Sequence, residues 1–227
     1  MNRKKLQLTN GLSQVLLTIL LLPALNIHAQ MGKLFDANHQ LSSNFTNQVY
    51  LDNDGFIWSA SRNGLNRYDG YQFHIYKKDN RTGMASNYVN CIIQDQKGHF
   101  YLGMWGALQI YDGKTFQTIE VKDLNGNRID CYVTCFLVRK NGEVWVGTSG
   151  FGVLKIDDTK HAHQVGDLLK GIHTAEQLME DQKGNIWVLT RDNGLICFNE
   201  KTSHTYFEDS PMRASLRKIC EGSDGTV

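Results

Sequence analysis

Apolar residues come in short runs along this chain, and each run is closed by a cluster of Asp, Asn, Gly and Lys. Val89–Gln94 leads into Asp95-Gln96-Lys97-Gly98, and residues 143–148 carry the run Val144-Trp145-Val146. The closing residues are those of tight hairpin turns, so the pattern predicts many short antiparallel strands. Pro211 is the sole proline after residue 29, which suits strands whose amides must all donate to a ladder.

The runs repeat. Gly55, Gly98, Gly142 and Gly184 are separated by 43, 44 and 42 residues, and an aromatic follows each by three positions: Trp58, Tyr101, Trp145 and Trp187. An apolar residue stands just before each aromatic, at Ile57, Phe100, Val144 and Ile186. A second signature comes later in each repeat: Gly64-Leu65 to Tyr68-Asp69, Leu108 to Tyr111-Asp112, Gly152-Val153 to Ile156-Asp157, and Gly194-Leu195 to Phe198-Asn199. Each repeat therefore divides into four strands, the second carrying the aromatic and the fourth starting near a Phe, as in Phe73–Tyr76.

The second strand selects the architecture. Ile186-Trp187-Val188-Leu189 is apolar on both faces, so both faces need cover. Short hairpins exclude a parallel sheet, and a sandwich would leave one face polar. Blades of four antiparallel strands packed face to face around an axis satisfy the pattern. The expected fold class is all-β, an incomplete β-propeller of four blades plus the start of a fifth. Ile219 to Val227 aligns with Leu178 to Ile186, so the fifth repeat is expected to be truncated at Val227. The tryptophans are expected to pack between blades.

Composition narrows the partners. Of 24 basic and 23 acidic residues, Arg3, Lys4 and Lys5 lie in the first 29 positions with no acid. Without that segment the chain is slightly acidic, which offers no basic surface for nucleic acid. Arg3-Lys4-Lys5, the apolar stretch from Val15 to Leu22 and the site Ile27-His28-Ala29 read as a signal peptide over residues 1–29, leaving 30–227 as the partial propeller. The five cysteines have no framework spacing; most read as small apolar strand residues, with room for one disulfide in an exported chain.

These repeats resemble the two-component regulator propeller. Asp54-Gly55-Phe56-Ile57-Trp58 and the stretch from Asn63 to Phe73, with the lead-in Leu41-Ser42-Ser43-Asn44, look like an opening blade of that family. Ala107 departs from the family glycine, Ser59-Ala60 from its Val-Gly step and Leu189 from its small residue. The resemblance implies the periplasmic, ligand-sensing region of a hybrid histidine kinase, its parent anchored in the inner membrane. It implies a glycan or other small nutrient as ligand. The implied partners are the remaining blades, the downstream kinase domains and a second copy of the parent. Two other functions fit the fold: an exported lyase-like propeller enzyme and a protein-interaction propeller.

Catalytic and cofactor motifs are weak. Gly150-Phe151-Gly152 lacks the third glycine of a dinucleotide fingerprint, Asp52-Asn53-Asp54-Gly55 lacks calcium-loop spacing, and His161-Ala162-His163 lacks a third metal ligand. No catalytic residue, cofactor or metal is therefore assigned, and this segment reads as non-enzymatic. The turn between strands one and two is alike in every repeat and reads as scaffold. The turn between strands two and three varies: Arg62-Asn63, Trp105-Gly106, Ser149-Gly150-Phe151 and Arg191-Asp192-Asn193. An aromatic face beside directional donors and acceptors suits a sugar, so Arg62, Asn63, Trp105, Phe151, Arg191, Asp192 and Asn193 are the candidate ligand residues.

Overall fold

The computed structural model describes residues 34–79, 82–157, 161–165, 169, 171–199 and 202–227. The expected signal peptide lies outside the described residues. Among the described residues, sixteen strands follow one another in four groups. Blade one holds β1 (Thr46–Leu51), β2 (Ile57–Ser61), β3 (Gly64–Tyr68) and β4 (Phe73–Tyr76). Blade two holds β5 (Val89–Gln94), β6 (Phe100–Met104), β7 (Ala107–Tyr111) and β8 (Phe116–Lys122). Blade three holds β9 (Tyr132–Val138), β10 (Val144–Ser149), β11 (Val153–Ile156) and β12 (His161–Gln164). Blade four holds β13 (Ala175–Glu180), β14 (Ile186–Thr190), β15 (Leu195–Asn199) and β16 (Thr202–Tyr206). Within each blade the strands pair antiparallel in chain order, so the fold is a β-propeller array.

The turn between strands one and two is built on one carboxylate. Asp52 accepts the amides of Asp54 and Phe56 at 3.0 and 2.8 Å, and the indole Nε1 of Trp58 donates to it at 2.7 Å. Gly55 closes the turn at φ 86°, a left-handed conformation that a side chain would strain. Asp95 does the same for Tyr101, whose hydroxyl donates at 3.3 Å, and Asp181 for Trp187 at 2.9 Å. Blade three has Arg139 in the aspartate's place, and the acceptor moves to Glu143, which takes the Trp145 indole at 3.2 Å. Arg139 holds that carboxylate at 3.0 Å and reaches Glu180 of blade four at 3.1 Å. Gly222 to Thr226 forms the same backbone turn after blade four.

Blades join through the first strands. In blades one to three the residue eight before the turn glycine donates from its side chain to a carbonyl of the next blade: Asn47 to Val89 at 2.8 Å, Asn90 to Val133 at 2.9 Å, and Thr134 to Ala175. One position on, Gln48 accepts the Ile92 amide at 2.8 Å, and Gln177 bonds both backbone groups of Ile219. Blades two and three carry Cys91 and Cys135 at that position, opposite Gly103 and Gly147. A Cβ on either glycine would meet the facing sulfur at 2.6 or 2.3 Å, so thiol and bare backbone are one packing unit. Burial pushes the Cys91 thiol well up and that of Cys135 to about 12, so neither is a thiolate at neutral pH. Cys91, Cys135 and Cys197 are strand residues, as expected of most of the five, whereas Cys131 is buried just before β9 and Cys220 is exposed outside the strands.

Three apolar clusters sit between successive blades. Trp58 packs on Phe100 and Tyr111 of blade two, and Trp145 on Phe198 of blade four. The inter-blade role expected of the tryptophans holds for both. Trp187 is half-buried and stacks on Tyr206 of its own blade at 5.6 Å. The face of blade one that looks away from blade two is open: Val49 is 64% exposed, whereas Ile92 at the same repeat position is 1% exposed. The lead-in covers part of that face, with Phe35 against Tyr68 and Phe73 and the Ser42 amide bonded to Asn66 at 2.8 Å.

The separate blades expected from the repeat differ at one place. β8 pairs with β12 in parallel, joining Glu120, Val121 and Lys122 to His161, Ala162 and His163. Blades two and three thereby form a single eight-stranded sheet. The cause is local. β8 has seven residues where β4 and β12 have four, and it turns back through a further aspartate turn, Asp123 to Asn127, so that Ile129 bonds Val121. That lengthened strand reaches across the wedge.

Replacing Asp52 by alanine leaves two turn amides and an indole without their acceptor and should cost about 3 kcal/mol, read from the urea midpoint. Burial works against the Glu143 carboxylate, but hydrogen bonds from Lys155, Trp145, Asn141 and Arg139 outweigh it and hold the pKa at about 2, below the ordinary 4.5. Its contribution to stability is then complete above pH 4.5 and lost as pH falls toward about 2. Glu143→Gln should lower stability at neutral pH and flatten the acid limb of a midpoint-against-pH curve over that interval; an unchanged limb would count against the assignment.

Candidate functional site

The turns between strands two and three lie at the end of the array opposite the aspartate turns, together with the segments that lead into each first strand. Two repeat positions meet there. Four residues after the strand-two aromatic stand Arg62, Trp105, Ser149 and Arg191; ten before the turn glycine stand Phe45, Tyr88, Tyr132 and Thr174. Backbone bonds couple them within a blade: Arg62 to Phe45 at 3.2 Å, Trp105 to Tyr88 at 3.3 Å, Arg191 to Thr174 at 3.2 Å. Ser149 pairs with Tyr132 in the ladder and bridges to Thr174 of the next blade.

An aromatic cluster results. Met104 pairs with Ala107, so Trp105-Gly106 is a two-residue loop, and Gly106 takes the left-handed φ of 74° that lets it close. The loop pushes the Trp105 ring outward, leaving it 67% exposed. Tyr88 and Tyr132 stand edge-on to it, with ring centres at 5.8 and 5.6 Å. Such edge-to-face geometry fixes the indole while leaving one face to solvent. Burial and the neighbouring Tyr88 hydroxyl push the Tyr132 phenol up to about 12, while the Arg62 charge pulls it back. Arg62 lies over the Phe45 ring at 4.9 Å. A cavity of about 500 Å³ opens beside Trp105, lined also by Asp130, Tyr132 and Ser149.

Blade four presents charge instead. Arg191 donates through Nε to Glu176 at 2.9 Å. Arg191, Asp192, Arg213 and Arg217 line a cavity of about 410 Å³ with Glu176.

The structure thus brings Arg62 and Trp105 into one aromatic region and places Arg191 and Asp192 around a second cavity at the same end. The other candidates are tied into the turns. Asn63 donates to the Ser42 carbonyl at 3.1 Å, and the Asn193 amide to Thr190 at 2.9 Å. Phe151 is half-buried against the core between blades two and three. Sequence reasoning missed Phe45, Tyr88 and Tyr132. Their signal was present, an aromatic ten residues before the turn glycine in three of four repeats. His161 and His163 lie 6.3 Å apart, each beside its own carboxylate, Glu120 at 3.2 Å and Asp157 at 2.7 Å.

The family model described as two component regulator propeller matches residues 127–150, which span β9, the Arg139 turn and β10. The chain matches no curated protein sequence. It is similar to solved extracellular domains assigned to two hybrid two component systems of B. thetaiotaomicron. One has a TM-score of 0.72 at 18% identity, covering 85% of this chain and 28% of that one. The other has a TM-score of 0.68 at 21% identity, covering 80% and 28%. Virginiamycin B lyase from Staphylococcus aureus is similar at a TM-score of 0.61 and 13% identity, covering 80% of this chain and 61% of the lyase. The chain therefore spans under a third of the length of the two-component domains it resembles, and the likeness establishes the propeller fold.

Collisional quenching should single out Trp105. Trp58 and Trp145 are buried, so Trp105→Phe should remove most of the emission accessible to iodide, whereas Trp58→Phe should leave that fraction nearly unchanged.

Proposed function

We propose that this chain is part of an extracytoplasmic sensor propeller that binds an oligosaccharide at the end carrying Trp105 and signals to a kinase of the same parent protein. The single observation that carries the reading is the exposed Trp105 ring, held edge-on by Tyr88 and Tyr132 beside a mostly apolar cavity that Asp130 and Ser149 also line. A sugar offers such a ring its C–H face and offers hydroxyls to the donors and acceptors around it. The partial family match and the likeness to extracellular two-component domains support the sensing role and the location outside the cytoplasm. The likeness to a lyase supports a second reading, in which the same end holds a substrate that is turned over.

Both readings meet in one experiment. Trp105→Ala, Arg62→Ala and Arg191→Ala are compared with the parent chain for binding to an oligosaccharide array, with folding followed by circular dichroism. Trp105→Ala should weaken the strongest binder about tenfold, the worth of one stacked ring, and the bound sugar should be recovered intact. Recovery of a cleaved product would favour the lyase-like reading. Three folded variants that bind like the parent would place the site elsewhere.

A further inference from the structure

The wedges between blades are equivalent by repeat, so their fillings can be compared position by position. Between blades one and two the wedge is full. Trp58, Tyr76, Phe100, Tyr111 and Phe116 interlock with ring centres 4.3 to 6.3 Å apart, and the Arg67 guanidinium lies over Trp58 at 5.9 Å. The strand registers place Tyr101, Ile119, Val144, Ile156 and Ala162 at the same five positions between blades two and three, and Ile110 at that of Arg67. Every replacement is smaller. A cavity of about 560 Å³, within the range of small-molecule sites, opens beside four of these smaller residues, Tyr101, Ile119, Val144 and Ile156. Pairing of β8 with β12 and the Glu120–His161 contact close the outer side of this wedge. A cavity of about 540 Å³ between blades three and four is still lined by the large rings of Trp145 and Phe198.

The walls decide the chemistry. Inside are Tyr101, Ile110, Ile119 and Val144, all buried and mostly apolar. The rim carries three carboxylates, and each is already satisfied by the protein. Asp95 accepts the Lys97 and His99 amides, the His99 ring and the Tyr101 hydroxyl. Glu143 accepts Arg139, Trp145 and Lys155; Asp157 accepts the His161 amide and the His163 ring. The spare capacity lies in donors. Lys97 is exposed at the rim and makes no ion pair among the described residues. A ligand must therefore bring acceptors to the rim and an apolar body to the interior.

We propose that the wedge between blades two and three is a second binding site, separate from the Trp105 end, for a small carboxylate with an apolar body. The body lies against Tyr101, Ile110 and Ile119, and the carboxylate meets the Lys97 amine.

The test uses the whole chain and titration calorimetry with benzoate as the probe and benzyl alcohol as its neutral counterpart. Benzoate should bind and raise the melting temperature, and benzyl alcohol should bind more weakly. Lys97→Ala, an exposed position that leaves the core intact, should weaken benzoate about tenfold, the worth of one charge-assisted hydrogen bond. Ile119→Tyr, which restores the ring found at Tyr76, should abolish binding. The proposal is overturned if benzoate does not bind, if Lys97→Ala binds it unchanged, or if benzyl alcohol binds as tightly.

Discussion

The hydrogen bond from a strand-two ring to the carboxylate of the preceding turn is the interaction on which each blade depends. In blades one, two and four a single aspartate accepts turn amides and the ring donor together. The turn geometry and the ring orientation are thus set by the same atoms. In blades one to three the ring then stands between blades, so a local turn sets an interface. Buried indole N–H groups need an acceptor, and a carboxylate gives a stronger bond than a neutral one. Blade three shows how tightly this is required. With Arg139 in the aspartate's place, Glu143 two residues before Trp145 supplies the acceptor, and Arg139 becomes its counter-charge.

From that anchor the array grows by repetition. In blades one to three side chains eight positions before the turn glycine donate to the next blade's carbonyl, and the residues seven positions before it use one of two solutions. Gln48 and Gln177 reach across to the next blade's backbone, opposite Ala60 and Leu189. Cys91 and Cys135 instead lie over a glycine. Ala60 and Leu189, where glycine is replaced, are matched by their strand partners Gln48 and Gln177, so the interface is kept by a pair rather than a residue.

Rigidity at one end leaves freedom at the other. The aspartate turns are alike because each must bond a ring, whereas the opposite turns close through backbone bonds and the hydroxyls of Ser61, Thr148 and Thr190. No shared ring bond dictates the residue there, and Arg62, Trp105, Ser149 and Arg191 differ in kind at one repeat position. The wedge between blades two and three opens instead at the aspartate-turn end, where ring packing is replaced by smaller side chains and the strand pairing of β8 with β12 holds the two blades together.

The sequence by itself determined the blades. Glycines at φ near 86° and aspartates that accept turn amides are local chemistry, so their period is readable along the chain. The boundaries of β4 and β5 and the inter-blade place of Trp58 and Trp145 follow from it. Part of the candidate end was legible too, because variable turns stand out against a repeat. The tertiary structure alone decided which of those residues share a surface. Tyr88 and Tyr132 join Trp105 from two lead-in segments far apart in the chain, while Phe151 turns into the core because its turn is one residue longer. Nor could periodicity announce the β8–β12 pairing or the wedge it closes. Both depend on the relative sizes of side chains and strands that meet only across blades, and distance in space carries no period along the chain.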